Sequence, residues 1–245
     1  MASMLITGAS RGIGRATALM AAARGWDVAV AYRQDAEAAA EVVRGVEAQG
    51  RRAVALAGDV TDPAAVALVF DGAEAALGRL DAVVINAGIV APSMTLAETT
   101  PERLRAVVET NVLGALFCAR EAARRLPRDE GDAAIVLLSS VAARLGSAGE
   151  YVDYAASKAA VDTLAIGLAR ELAPGRVRVN AVRPGLIDTE IHASGGRPTR
   201  AFDLAPLVPM GRPGRAEEVA EMILWLCSPA ASYVTGAVME VTGGR

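Results

Sequence analysis

Residues 4–18, MLITGASRGIGRATA, pass from a short apolar run through a glycine-rich turn into small and apolar residues of helical length. Gly8, Gly12 and Gly14 permit a tight turn and close backbone approach. A helix that starts directly behind such a turn presents free amides and positive dipole to an anion such as a pyrophosphate. The spacing is not the G-x-G-x-x-G of the standard dinucleotide fingerprint, so the turn alone admits two readings, a cofactor cradle or a plain strand-to-helix corner.

The alternation begun here continues along the chain. The runs MLIT, VAVAY, AVALA, AVVIN, AIVLLS, VRVNAV and AVMEV read as strands, nearly continuous in apolar residues as strands covered on both faces are. Between them, residues 12–24, 36–49, 63–77, 101–126, 152–173 and 216–227 have helical length and composition. TDPAAV and TTPERL each place a proline in a first turn behind a Thr or Asp cap. About seven strands alternating with helices imply an α/β fold, a Rossmann-type doubly wound parallel sheet with helices on both faces and ligands at the carboxyl ends of its strands.

At 245 residues, with 53% apolar and 22% charged residues, the chain fits one domain. A formal charge of −3 and the lack of a basic run argue against nucleic acid as a partner. Cys118 and Cys227 are far apart in apolar helical patterns, with nothing nearby to complete a metal site, and read as buried reduced thiols. No stretch approaches the roughly 20 apolar residues of a membrane span, and the N-terminus enters a strand almost at once. The expected setting is cytoplasmic. Residues 190–214, rich in Gly and Pro, are too long for an ordinary connection and read as a lid. His192, the single histidine, falls in that lid and is expected at the surface or lining a pocket. Trp26 and Trp225 read as core, and Glu150 as either substrate-facing or solvated.

In YAASK, Tyr154 and Lys158 stand four residues apart on one helix face and can act on one atom together. Together with T-G-x-x-x-G-x-G, NAG at residues 86–88, Ser140 and RPG at residues 183–185, this ordered set resembles the classical short-chain dehydrogenase/reductase family over essentially the whole chain. The resemblance implies a catalytic set of Asn111, Ser140, Tyr154 and Lys158. Ser139 and Ser147 remain alternatives beside Ser140, and Tyr151 is expected as a pocket wall. A free phenol has a pKa of about 10. A nearby ammonium and the positive nicotinamide ring would draw Tyr154 toward useful acid/base work. Ser140 would hold the substrate oxygen, Lys158 would also grip the cofactor ribose, and Asn111 would position a relay water.

The same resemblance implies a cofactor site formed by Gly8, Ser10, Arg11, Gly12, Ile13 and Gly14 in the first turn, and by Asn86, Ala87 and Gly88 beside it. Asn86 there is mainly structural. Asp59 and Val60 are expected at the adenine, and Pro184, Gly185, Ile187 and Thr189 beside the nicotinamide. At the end of the second strand, where a carboxylate would select NAD, stand Tyr32 and Arg33, with Arg11 as a second cation. NADP(H) is therefore the expected cofactor, NAD(H) remaining possible because Asp35 is near. The implied protein is an oxidoreductase of a carbonyl or secondary alcohol, ketoacyl reductase-like or sugar dehydrogenase-like, assembled as a homotetramer or homodimer. Residues 1–140 would form its dinucleotide-binding part and residues 141–245 its catalytic part. The competing reading is a catalytically silent dinucleotide-binding sensor or scaffold on the same fold.

Overall fold

The computed structural model describes residues 2–245. The strands are β1 (Ser3–Thr7), β2 (Asp27–Tyr32), β3 (Ala53–Ala57), β4 (Ala82–Ile85), β5 (Ala133–Leu138), β6 (Val177–Pro184), β7 (Ile187–Asp188), β8 (Gly214–Arg215) and β9 (Val238–Val241). The helices are α1 (Gly12–Ala23), α2 (Ala36–Glu47), α3 (Pro63–Leu77), α4 (Pro101–Val108), α5 (Gly114–Arg125), α6 (Ala142–Leu145), α7 (Val152–Leu172), α8 (Ile191–Ser194), α9 (Arg200–Asp203) and α10 (Ala216–Cys227). Seven strands pair in the order β3-β2-β1-β4-β5-β6-β9, every pairing parallel.

Each face of this sheet buries its own apolar layer. Phe70, Leu126, Leu137 and Val179 belong to one layer, and Ile6, Val30, Val136 and Ile223 to the other. Two-sided cover explains why the strands lack a polar alternation. The edge strand β3 is the exception: its apolar residues are only partly covered, because no further strand lies beside it. Cys118 and Cys227 are free and buried, and burial pushes both thiols up to about 12. Trp26 packs partly buried against the core, whereas Trp225 is 37% exposed on α10, so the expectation of a core tryptophan fails there.

The chain order runs β1, β2, β3 to one side and then returns across β1 to β4, β5 and β6 on the other. At this switch point the loops after β1 and β4 diverge and leave a crevice. Asn86 ties the two loops together: its Nδ2 donates to the carbonyls of Thr7 and Gly8 at 2.9 and 3.0 Å. Asn86 therefore acts on the scaffold, as the sequence implies.

Two connections differ from expectation. The helix expected over residues 101–126 is interrupted by a π-helical turn at Glu109–Leu113, between α4 and α5. Residues 190–214 form a long crossing segment as expected, yet they carry α8, α9 and a 3-10 turn at Ala205–Leu207. Among the described residues, no helix is long and apolar enough to cross a membrane, and no group of His, Cys, Asp and Glu is placed to hold a metal ion.

Candidate active site

Two concavities adjoin at the carboxyl ends of the strands, sharing Ile13, Asn86, Gly88, Thr189 and Ile191. The first is a groove over the β1 turn that reaches Ser10, Arg11, Tyr32, Arg33, Asp59, Val60 and Ala87. The second is an apolar-walled cavity beside α7 that reaches Ser140, Tyr151, Tyr154, Lys158, Pro184, Gly185 and Ile187.

The groove is built to receive a phosphate-bearing group. Gly8 and Gly12 take positive φ of 64° and 53°, which a side chain would resist. A Cβ on Gly14 would lie 2.5 Å from the Gly8 carbonyl, so only glycine lets α1 start this close to β1. The helix cap at Arg11 makes no side-chain hydrogen bond, which leaves the first-turn amides of α1 open to an anion. Such donors, opening into a groove rather than under a side chain, fit the pyrophosphate of a dinucleotide.

Farther along the groove the charges interleave. Asp59 accepts from the amide and hydroxyl of Thr61, both at 2.9 Å, and its other oxygen lies 3.8 Å from Arg33 Nη1. Asp35 caps α2 by accepting from the Ala38 amide at 2.9 Å, so a helix end occupies its carboxylate. Arg11 forms no ion pair among the described residues. Glu190 also lines the groove: a Cβ on Gly12 would lie 3.5 Å from its Oε2. Glu190 was not legible as a groove residue, because its approach to the first turn depends on where the segment after β7 runs.

Where groove and cavity meet, α7 carries Tyr154 and Lys158 to the carboxyl end of β5. Lys158 is 5% exposed, and its Nζ donates to the Leu138 carbonyl at 2.7 Å and lies 5.8 Å from the Tyr154 ring centroid. It is also the only lysine among 25 basic residues. Burial lowers its pKa to about 8, against the opposing pull of Asp162. Burial raises the Tyr154 phenol, and only its hydrogen bond with Ser140 pulls it back. Lys158 itself stands over the ring face and donates to a backbone carbonyl rather than to the phenol oxygen.

The serines separate clearly. Ser139 is buried and its hydroxyl donates to the Lys158 carbonyl at 3.0 Å, so it fastens α7 to β5. Ser140 lines the cavity and engages Tyr154. Ser147 also lines the cavity, from a turn with φ of 48°. Asn111 sits in the π-helical turn, where its side chain accepts from the Ile89 amide at 2.8 Å and donates to the Ile89 carbonyl at 2.9 Å and to Ser157 Oγ at 3.1 Å. A Cβ on Gly88 would lie 3.2 Å from Asn111 Oδ1 and 3.3 Å from Lys158 Nζ, so these two groups converge on that glycine. The π turn, a geometry frequent at functional sites, sets Asn111 at this depth.

Another part of the cavity lining was legible only in part. His192 lines it, as one of the two expected positions, and its Nε2 lies 2.8 Å from the Ile187 carbonyl; burial lowers its pKa. Glu150 is paired: both its oxygens accept from Arg200, at 2.7 and 2.6 Å. Arg200, 8% exposed, also lies 4.9 Å from the Tyr151 ring centroid, which makes Tyr151 the wall expected of it. No local motif marks Arg200, since its partners lie 50 residues away in sequence.

Against known proteins, residues 8–245 match a family profile described as enoyl-(acyl carrier protein) reductase. An uncharacterized oxidoreductase, YgfF, of Escherichia coli is 49% identical with full coverage of both chains. A short-chain dehydrogenase from Burkholderia cenocepacia, solved with NADP, superposes with a TM-score of 0.91 at 36% identity, covering 99% of this chain and 97% of that one. A 3-ketoacyl-(acyl-carrier-protein) reductase from Brucella melitensis, solved with NADH, gives 0.90 at 30% identity, with 100% and 98% covered.

Proposed function

The chain belongs to the short-chain dehydrogenase/reductase family, an oxidoreductase type acting on CH–OH and C=O groups, and on that footing we propose that it is an NADP(H)-dependent reductase or dehydrogenase of a ketone or secondary alcohol in which Tyr154 is the acid/base. The observation that carries this reading is the pair of half-buried Tyr154 and buried Lys158, placed where the glycine-turn groove opens into an apolar cavity.

When bound, the nicotinamide supplies or accepts the hydride. The chain's own residues do the rest. Gly8, Ser10, Gly12, Ile13 and Gly14 would cradle the pyrophosphate, Asp59 and Val60 would meet the adenine, and Ile187 and Thr189 would hold the nicotinamide. Pro184 and Gly185 shape the turn beneath it: a Cβ on Gly185 would lie 2.8 Å from Thr242 Cα. Ser140 holds the substrate oxygen and Tyr154 passes it a proton in reduction or takes one in oxidation. Lys158 grips the ribose, and its charge over the ring favours the phenolate once both groups lie under bound cofactor and water is excluded. Asn111 and Lys158, converging at Gly88, frame the path by which the proton is replaced.

The preference for NADP(H) rests on Arg11 and Arg33 at the end of the groove, with Tyr32 where a selecting carboxylate would stand and Asp35 engaged as a helix cap. Guanidinium pairs bidentately with a phosphate monoester. The two superposed relatives were solved with different nicotinamides, so the argument is this chain's own. Residues 1–140 carry the dinucleotide part and residues 141–245 the catalytic and substrate part. A homotetramer or homodimer in the cytoplasm remains the expected working form.

The test is to titrate purified protein with NADPH and NADH, then to follow reduced-nicotinamide absorbance against a panel of ketones, acetoacetyl thioesters, sugars and secondary alcohols. Tighter NADPH binding and turnover of a panel member support the proposal. Binding without any turnover favours the silent sensor, and tighter NADH binding removes the cofactor assignment.

A further inference from the structure

The lining of the cavity carries an uneven charge. The ionisable side chains lining it, among the described residues, are Lys158, His192, Arg200, Arg245 and the two phenols, with no Asp or Glu. Glu150, the carboxylate partner of Arg200, is shared. It accepts two bonds from Arg200 and a third from Arg197 at 3.2 Å, and the positive field of Arg245 also lowers its pKa. One negative charge therefore faces several guanidiniums.

Arg200 is the buried member of this set, and its position is fixed from two sides. Glu150 holds it bidentately and the Tyr151 ring stacks beneath it at 4.9 Å. Only two of the five guanidinium N–H groups go to Glu150, leaving three donors. The charge of Arg200 is paired with Glu150, and at 8% exposure its remaining N–H groups would meet a second acceptor entering the cavity with little competition from water. The remaining walls, including Val90, Leu138, Val141, Leu145 and Leu186, suit a hydrocarbon.

We propose that the cavity selects a carbonyl or alcohol substrate that also bears a carboxylate, with Arg200 as the residue that reads the acid while the reacting oxygen lies at Ser140 and Tyr154. This deepens the oxidoreductase reading and rests on it for the identity of the reacting end. A site that hydrogen-bonds a substrate group discriminates strongly against the analogue lacking it, because its own donors are left unmet. A neutral ester presents one weak acceptor where the acid presents two charged ones.

The experiment pairs oxo acids with their methyl esters: 4-oxopentanoate, 5-oxohexanoate and 6-oxoheptanoate, which vary the distance between the two ends. Calorimetry on protein loaded with NADP+ reads binding without turnover, and kcat/KM with NADPH reads the reaction. The expected result is that at least one acid outperforms its own ester tenfold or more in both readouts, and that Arg200→Gln reduces the ratio to below threefold while cofactor affinity is unchanged. Equal or tighter binding of all three esters to the wild-type protein overturns the proposal, whether or not the variant folds. Acid preference in calorimetry without turnover supports the carboxylate site and counts against the oxidoreductase reading. Turnover of acid and ester alike does the reverse.

Discussion

The Nζ of Lys158 lies 5.8 Å from the centroid of the Tyr154 ring, one helical turn away, and donates to the Leu138 carbonyl at 2.7 Å. The ammonium is thus held against the ring face with no carboxylate bonded to it, and burial brings it down to about 8 from an ordinary 10.5. Between these values the unfolded chain carries a proton that the folded chain has released. The residue's contribution to stability therefore rises with pH across that window and is lost as pH falls through about 8. Because Lys158 is the only lysine, side-chain NMR of lysine-labelled protein gives one Nζ titration. A midpoint near 8 in cofactor-free protein is expected; one above 10 would remove the argument from burial.

Gly88 sits between Asn111 and Lys158, and a Cβ there would press on both, at 3.2 and 3.3 Å. Gly88→Ala should lower kcat at least tenfold with a thermal midpoint close to wild type, because both neighbours are side-chain ends that can give. Gly14→Ala meets the Gly8 carbonyl at 2.5 Å and the Asn86 amide at 2.7 Å, where no flexible end yields. It should cost about 1–3 kcal/mol of stability, as overpacking typically does, and weaken both nicotinamides alike. Denaturant titration with cofactor binding separates the two variants.

Ser139 and Ser140 are neighbours with opposite assignments. Ser139→Ala removes the hydroxyl that donates to the Lys158 carbonyl, so it should cost about 1 kcal/mol of stability with a small change in turnover. Ser140→Ala loses the bond its Oγ accepts from the Ala142 amide at 3.1 Å, so it should cost a similar amount of stability, and in addition depress kcat/KM by about a hundredfold, in the range of a lost transition-state donor. Reversed effects would exchange the two roles.

Arg11 and Arg33 should act on one cofactor only. Arg11→Ala combined with Arg33→Ala should weaken NADPH at least tenfold and NADH by less than threefold, measured by fluorescence titration. The contrast should shrink with added salt, since both groups are solvent-accessible. Equal losses for the two cofactors would mean that the guanidiniums hold the dinucleotide without reading its 2′-phosphate.

Much of this architecture was legible in the sequence for a physical reason. Strands covered on both faces are apolar throughout, so β1, β4 and β5 stand out, and Pro63 behind Asp62 marks the start of α3 at the observed residue. Tyr154 and Lys158 were legible because both lie on one helix, where spacing fixes direction. The interruption at Glu109–Leu113 was not, because ETNVL carries no breaking residue and the widened turn depends on Asn111 bonding to Ile89 on another segment. The pairing of Arg200 with Glu150 escaped for the same kind of reason: it forms only where residues 190–214 return to the turn before α7. Trp225 shows the converse, an apolar pattern whose outer member remains partly exposed.

The most direct measurement is single-turnover kinetics of Tyr154→Phe with bound NADPH and the best ketone substrate, set beside its cofactor affinity. The phenyl ring preserves the packing over Lys158 and removes the hydroxyl, which carries both the transferable proton and the hydrogen bond to Ser140. The account predicts an NADPH affinity within about threefold of wild type and a hydride-transfer rate lower by a hundredfold or more, as loss of a general acid implies. A variant that binds NADPH normally and reduces the ketone at the wild-type rate would contradict it.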